Sequence, residues 1–139
     1  MRLLIVEDDA ELGVTLDEAL SEGNEVKIVA TAFEALALGP ERFDAILTDY
    51  RMPAMSGVEL NKVLQERGVP VPVVLMSSDP DVGQHAKRSG FFGFLAKPFG
   101  FSELHGVLGL IARQIGQPLH ALEPATAAVG PRKRQRGSD

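Results

Sequence analysis

Glu7, Asp8 and Asp9 stand directly behind the apolar run Leu3-Leu4-Ile5-Val6, and Asp49 stands behind Ala45-Ile46-Leu47-Thr48. Ser77 follows Val73-Val74-Leu75-Met76, and Lys97 follows a run that ends Phe94-Leu95-Ala96. Each run reads as a strand buried on both faces of a parallel sheet. In open α/β sheets ligands gather outside the carboxyl ends of the strands, so these polar groups should converge on one crevice. Carboxylates brought together there would repel one another and raise each other's pKa. A hard divalent cation resolves that conflict, because magnesium prefers oxygen ligands and needs only one or two carboxylates beside waters and phosphate oxygens. Glu7, Asp8 and Asp49 are therefore read as a Mg²⁺ site. Ser77 offers a hydroxyl and Lys97 an ammonium for phosphoryl oxygens. Together they define a phosphoryl-transfer pocket, in which a carboxylate attacks phosphorus while metal and cation neutralise the charge. Asp49, behind what reads as a central strand, is the candidate nucleophile. Helix capping is the ordinary role of a strand-end acid, and Asp9 fits it.

The elements that must position these groups alternate. Strands are expected at Arg2–Val6, Val26–Ala30, Phe43–Thr48, Val73–Met76 and Phe91–Ala96, with a helical stretch after each. The first helix should begin near Asp9 and bury Leu12, Leu16, Ala19 and Leu20, the stripe of a helix lying on a sheet, with Gly23 placed to end it. Thr31-x-x-Glu34 and Ser56-x-x-Glu59 match the capping box and should open the second and third helices, with Gly39-Pro40 and Gly68 as their stops. The fourth helix is a short piece within Pro80–Ser89 that contains Gly83 and few large apolar residues, and is expected to be mobile or poorly formed. The fifth, Ser102–Ile115, carries Leu104, Val107, Leu108 and Ile111 as its stripe, interrupted by Gly106 and Gly109. Such alternation gives right-handed crossovers and a parallel sheet with helices on both faces, a doubly wound α/β sandwich. Residues 1–116 should form this domain, and 117–139, Pro- and Ala-rich and then basic, read as a flexible tail.

The length of 139 residues suits one domain with a core of its own. The absence of cysteine excludes thiolate metal sites, disulfides and cysteine nucleophiles, and fits a reducing, cytoplasmic setting. The N-terminal apolar run is too short for a signal peptide or a membrane span. Net charge is −5, and Arg132, Lys133, Arg134 and Arg136 are concentrated near the end, so the remainder is more acidic still. A body of that sign repels nucleic acid, leaving any such contact to the tail. His85, His105 and His120 show no metal spacing and are read as surface residues. Phe91, Phe92, Phe94, Phe99 and Phe101 cluster, and most should be core. No P-loop motif and no dinucleotide fingerprint are present.

Taken in order, Ile5-Val6-Glu7-Asp8-Asp9, Asp49-Tyr50-Arg51-Met52-Pro53 with Gly57, Leu75-Met76-Ser77-Ser78 and Phe94-Leu95-Ala96-Lys97-Pro98-Phe99 resemble the response-regulator receiver domain of two-component signalling, over about residues 1 to 116. The resemblance implies a (βα)5 flavodoxin-like sandwich with strand order 2-1-3-4-5. It implies that Asp49 accepts a phosphoryl group from a histidine kinase or phosphotransfer protein. Asp8, Asp49 and the backbone carbonyl of Arg51 would hold Mg²⁺ directly and Glu7 mainly through water. Ser77, Ser78 and Lys97 would meet the phosphoryl group. Ser77 and Phe94 would be the switch pair, with Lys97-Pro98 a cis peptide. Glu7 replaces a common Asp, Ser77 a common Thr and Phe94 a common Tyr, so the ring has no hydroxyl. The segment between Ser77 and Lys97 is slightly short for the family. On this reading the chain is a signalling phosphoacceptor and not a turnover enzyme, stand-alone and acting on a downstream protein, or else the N-terminal receiver of a longer regulator. The reading from another class is a Mg²⁺-dependent aspartyl-phosphate phosphohydrolase, against which stands Arg51 where a second acid would be needed.

Overall fold

A computed structural model describes residues 1–116; the basic segment and the rest of 117–139 lie outside the described residues. Five strands, β1 (Arg2–Val6), β2 (Glu25–Val29), β3 (Ala45–Asp49), β4 (Val73–Ser77) and β5 (Gly93–Ala96), form one parallel sheet in the order β2-β1-β3-β4-β5. Between and after them run α1 (Ala10–Leu20), α2 (Ala32–Ala37), α3 (Gly57–Glu66), α4 (Val82–Arg88) and α5 (Phe101–Ile115), with a short 3-10 turn at Pro40–Arg42. This is the doubly wound sandwich expected from the alternation. Among the described residues no helix is long and apolar enough to cross a membrane.

Side chains alternate across each strand, so each contributes to both faces. Leu3, Ile5, Ala45, Leu47, Val74, Met76 and Leu95 point one way, into a core closed by Leu16 and Leu20 of α1 and Leu104, Leu108 and Ile111 of α5. Leu4, Val6, Ile46 and Val73 point the other way, onto Ala32 and Ala35 of α2 and Leu60 and Leu64 of α3. Leu75 continues that second face and is covered by Val82 and Ala86 of α4.

The starts of the helices follow the local signals. Asp9 accepts hydrogen bonds from the backbone N–H groups of Glu11 and Leu12 and caps α1. Thr31 with Glu34 and Ser56 with Glu59 close complete capping boxes on α2 and α3. Gly39 and Gly68, just past the ends of α2 and α3, both take positive φ. α4 is short, as expected, but regular over its seven residues.

Strand and helix edges differ by small shifts. β2 and β3 are displaced toward Glu25 and Asp49, β4 extends to Ser77, and α5 begins one residue early, at Phe101. The larger difference is β5, which starts at Gly93 rather than Phe91. Gly90 turns with positive φ, and Phe91 donates its N–H to the Ala86 carbonyl of α4, so the start of this apolar run belongs to the helix exit. The aromatic cluster also divides. Phe92 and Phe99 pack against the α1/α5 core and Phe91 against the opposite side, whereas Phe94 and Phe101 stay about half exposed.

Candidate functional site

Glu7 and Lys97 come one residue after β1 and β5, and Asp49 ends β3. All three have the alternation parity of the residues that face α1 and α5, which is why their side chains meet above the carboxyl edge of the sheet. Lys97 Nζ lies 2.8 Å from Glu7 Oε1 and 2.9 Å from Asp49 Oδ1. The Glu7 side chain is fully buried, Asp49 is nearly so, and the ammonium reaches them from a partly exposed stem. Glu7 Oε2 accepts the backbone N–H of Asp9, and Asp49 Oδ1 also accepts that of Tyr50.

Carboxylate oxygens of Glu7, Asp8 and Asp49 all fall within 4.8 Å of one another. Asp8 is exposed, so this all-oxygen group opens to solvent on one side. Such an arrangement fits a hydrated hard cation, which keeps several of its waters. Gathering these acids carries an electrostatic cost. Burial pushes the Glu7 carboxyl above its ordinary range, and the Asp49 charge adds to the rise, against the opposing hydrogen bonds from Lys97 and the Asp9 N–H. For Lys97, burial pulls the ammonium down, but its hydrogen bonds to Glu7 and Asp49 outweigh that and hold it above its ordinary value.

The other wall of the site is α3. A Cβ on Gly57 would collide with the Asp49 carbonyl oxygen and crowd Thr48 Cγ2, so only glycine lets the first helical residue approach the β3 edge this closely. Gly57 N–H donates to the Tyr50 carbonyl at 2.8 Å. Ala54, in the connection between, takes positive φ.

Ser77 is buried at the end of β4, and its Oγ accepts the backbone N–H of Asp79 at 3.0 Å. Ser77 has the opposite strand parity from Asp49 and so borders the pocket from the α4 side. Ser78 is exposed beside it. Lys97-Pro98 is a cis peptide, as the resemblance implies. Arg51 lies two residues past Asp49, with an exposed guanidinium 5.0 Å above the Tyr50 ring and 3.6 Å from Asp79 Oδ2. Phe94 is 48% exposed and rests against α4 at Gly83.

Sequence reasoning passed over Asp79, which joins the two loops at the mouth. Its backbone serves Ser77, its Oδ1 accepts the Asp81 N–H, and its Oδ2 faces Arg51 and His85. The Asp81 N–H, with the His85 and Arg51 charges, keeps the Asp79 carboxyl below its ordinary range despite some desolvation. The one available signal was the run Ser77-Ser78-Asp79-Pro80-Asp81, a turn composition with no partner named in it.

Reading His85 as a surface residue is corrected. It is half-buried, edge-on to Tyr50 at 4.9 Å between ring centroids, with Nε2 3.4 Å from Asp79. One turn of α4 after Asp81 brings it back over the β3 and β4 ends. His105 is likewise half-buried, edge-on to Phe101, with its Nε2 lacking a hydrogen-bond partner among the described residues, and burial lowers its pKa. His120 lies outside the described residues.

The chain is similar to known proteins in sequence and in fold. Residues 3–108 match the response regulator receiver domain family. A response regulator receiver protein of Anaeromyxobacter sp. is 41% identical over 101 residues, covering 70% of this chain and 42% of the relative. The response regulator FleR of Pseudomonas aeruginosa is 35% identical over 139 residues, covering 96% of this chain but 29% of FleR. The DNA-binding transcriptional regulator NtrC of Proteus hauseri is 35% identical over 127 residues, covering 88% of this chain and 26% of NtrC. The chain thus spans between about a quarter and two fifths of the length of these relatives. Among solved structures, the chemotaxis response regulator CheY4 of Vibrio cholerae superposes with a TM-score of 0.72 at 30% identity, over 79% of this chain and 97% of CheY4. The receiver domain of the sensor kinase PA1611 of P. aeruginosa, with magnesium in its active-site cleft, gives 0.69 at 29% identity, over 84% and 98%. With sheet order, acidic cluster and strand-end lysine in agreement with matches over most of its length, the chain belongs to the response regulator receiver domain family.

Proposed function

We propose that Asp49 accepts a phosphoryl group from a histidine kinase or phosphotransfer protein, and that this modification alters binding to a downstream protein. The observation that supports this most directly is the contact of Lys97 Nζ with Asp49 at 2.9 Å beside the Glu7–Asp8–Asp49 carboxylate group. In the transfer, an Asp49 carboxylate oxygen forms a bond to phosphorus as the bond from phosphorus to the donor atom breaks, and the bonding pair leaves on the donor. Lys97 and the Ser77 hydroxyl hold phosphoryl oxygens, with the exposed Ser78 at the rim. Lys97 also balances the acid that remains. Glu7, Asp8, Asp49 and the Arg51 carbonyl are the residues to hold Mg²⁺, which supplies charge neutralisation on the transferring group.

The chain acts as a phosphoacceptor and not as a turnover enzyme. Its output would be a separate downstream protein that reads the change of surface, or an attached effector if the chain is the receiver of a longer regulator. Incubation with acetyl phosphate and Mg²⁺ should add one phosphoryl group, and Asp49→Asn should abolish the addition. Full labelling of that variant would exclude Asp49, and sustained hydrolysis of exogenous phosphate esters would favour a phosphohydrolase.

A further inference from the structure

Every residue of β3 is buried, and apart from Asp49 the one polar side chain among them is that of Thr48. It lies fully buried between Val6 of β1 and Leu75 of β4. Valine would suit such a strand position as well and would bury no hydroxyl, a group that is costly to take out of water unless it finds a partner. The partner here is the main chain of the next residue. Thr48 Oγ1 donates to the Asp49 carbonyl at 3.1 Å. The other branch of the side chain sets the rotamer that permits this bond. Thr48 Cγ2 lies against the first residue of α3, where a Cβ on Gly57 would come within 3.2 Å of it. A β-branched side chain has few rotamers to choose from, so with its methyl seated on α3 the hydroxyl is turned to Asp49.

That carbonyl belongs to the Asp49–Tyr50 peptide, a planar unit whose N–H lies on the opposite side. The Tyr50 N–H donates to the Met76 carbonyl at 2.9 Å and to Asp49 Oδ1 at 3.2 Å. Asp49 Oδ1 is also the oxygen that Lys97 Nζ reaches, at 2.9 Å. One side of the peptide plane therefore carries the Thr48 hydroxyl, and the other carries a hold on the carboxylate. Without the hydroxyl bond the plane is free to rock, and the longer arm of the shared Tyr50 hydrogen bond is the first to yield. Small misplacements of a reacting group cost rate steeply. Thr48 itself has the strand parity of Ile46, which faces α2 and α3 and not Lys97 and Glu7, so it acts on the pocket only through Asp49.

We infer that Thr48 is a positioning residue for the phosphoacceptor: its hydroxyl fixes the Asp49–Tyr50 peptide, and that peptide orients the Asp49 carboxylate for attack on phosphorus. This rests on the phosphoacceptor reading.

Two substitutions separate positioning from packing. Thr48→Val keeps the branched shape and removes the hydroxyl, whereas Thr48→Ser keeps the hydroxyl and removes the methyl. Each is read by the rate of labelling with acetyl phosphate and Mg²⁺, by the NMR signal of the Tyr50 amide proton before any phosphodonor is added, and by the urea midpoint. Thr48→Val should slow labelling about three- to tenfold, the size of effect that one hydrogen bond carries, and should move the Tyr50 amide signal. Thr48→Ser should lower the urea midpoint, because it leaves a gap where the methyl packed. It should nevertheless label within about twofold of the wild type and keep the Tyr50 signal in place. A Thr48→Val protein that labels at the wild-type rate, or whose Tyr50 signal does not move, would overturn the positioning role, as would labelling rates that follow the urea midpoints in both variants. Failure of the wild type to be labelled at all would overturn the phosphoacceptor reading and this role together, whereas labelling of the wild type with no difference between the two variants overturns the role alone.

Discussion

The ammonium of Lys97, between Glu7 at 2.8 Å and Asp49 at 2.9 Å, is the cation that balances this gathering of acids. Removing one member of a largely buried charge group costs more than the group contributes, because the remaining charges lose their partner. Lys97→Met should lower stability by about 1–3 kcal/mol in chelator, a range reduced from that for a fully buried pair because the lysine stem is partly exposed. Added Mg²⁺ should recover part of that loss. Urea denaturation with and without the metal measures both, and an unaltered midpoint in chelator would remove Lys97 from the electrostatic account. Asp8 is the contrasting residue, exposed and at the open side of the cluster. Asp8→Ala should leave the stability within about 0.5 kcal/mol, as surface substitutions usually do. The same variant should lose most of its Mg²⁺ affinity in a fluorescence or calorimetric titration, and an unchanged titration would argue against the assigned ligand.

At the scale of elements, the first turn of α3 sets the floor of the site, and two glycines make opposite use of their missing side chain. Propensity alone favours alanine at both by about 1 kcal/mol. At Gly57 the obstacle is the backbone carbonyl of Asp49, which cannot yield without moving the β3 edge, whereas at Gly83 it is the rim of a half-exposed ring. Gly57→Ala should therefore destabilise the protein by about 1–3 kcal/mol, the usual scale of an overpacked position, and weaken Mg²⁺ binding with it. Circular-dichroism melts and a metal titration check this; a more stable variant with normal metal affinity would show the contact to be soft. Elements with local signals are legible in the amino-acid sequence. The capping boxes at Thr31 and Ser56, the Asp9 cap and the apolar runs ending at Val6 and Met76 depend on neighbours within a few residues. The start of β5 was not legible, because Phe91 joins the helix exit through a bond to Ala86 that apolar composition does not encode. Asp79 and His85 escaped for a related reason. Their meeting with Arg51 and Tyr50 depends on how α4 lies across two loops, and α4 has too few apolar residues to announce a face.

Across the whole molecule the two ends of the sheet do different work. The carboxyl end gathers charges whose mutual discomfort suits binding, while the amino end is fastened by a carboxylate with its compensating partners in place. Asp44, just before β3, accepts the backbone N–H of Arg2 at 2.7 Å and pairs with its guanidinium at 3.4 Å. The Asp44 N–H in turn donates to the Arg2 carbonyl at 2.7 Å, so one residue joins the starts of β1 and β3. Desolvation alone would raise the Asp44 pKa. The backbone and side-chain hydrogen bonds from Arg2, with the positive charges of Arg2 and the N-terminus, outweigh it and hold the carboxyl below its ordinary 3.8. A depressed folded-state pKa contributes stability that is present above the unfolded value and disappears as pH falls through the folded one. The substitution Asp44→Asn imitates the protonated acid, keeping an acceptor but losing the charge. It should cost about 0.5–1 kcal/mol at neutral pH, a small figure because the pair is partly exposed and screened by solvent. The difference from wild type should shrink steadily once the pH drops below 3.8. Urea midpoints measured from neutral pH down into the acid range test the sign directly: a gap between the two proteins that stays constant, or widens on acidification, would show that Asp44 does not hold the amino end through its charge.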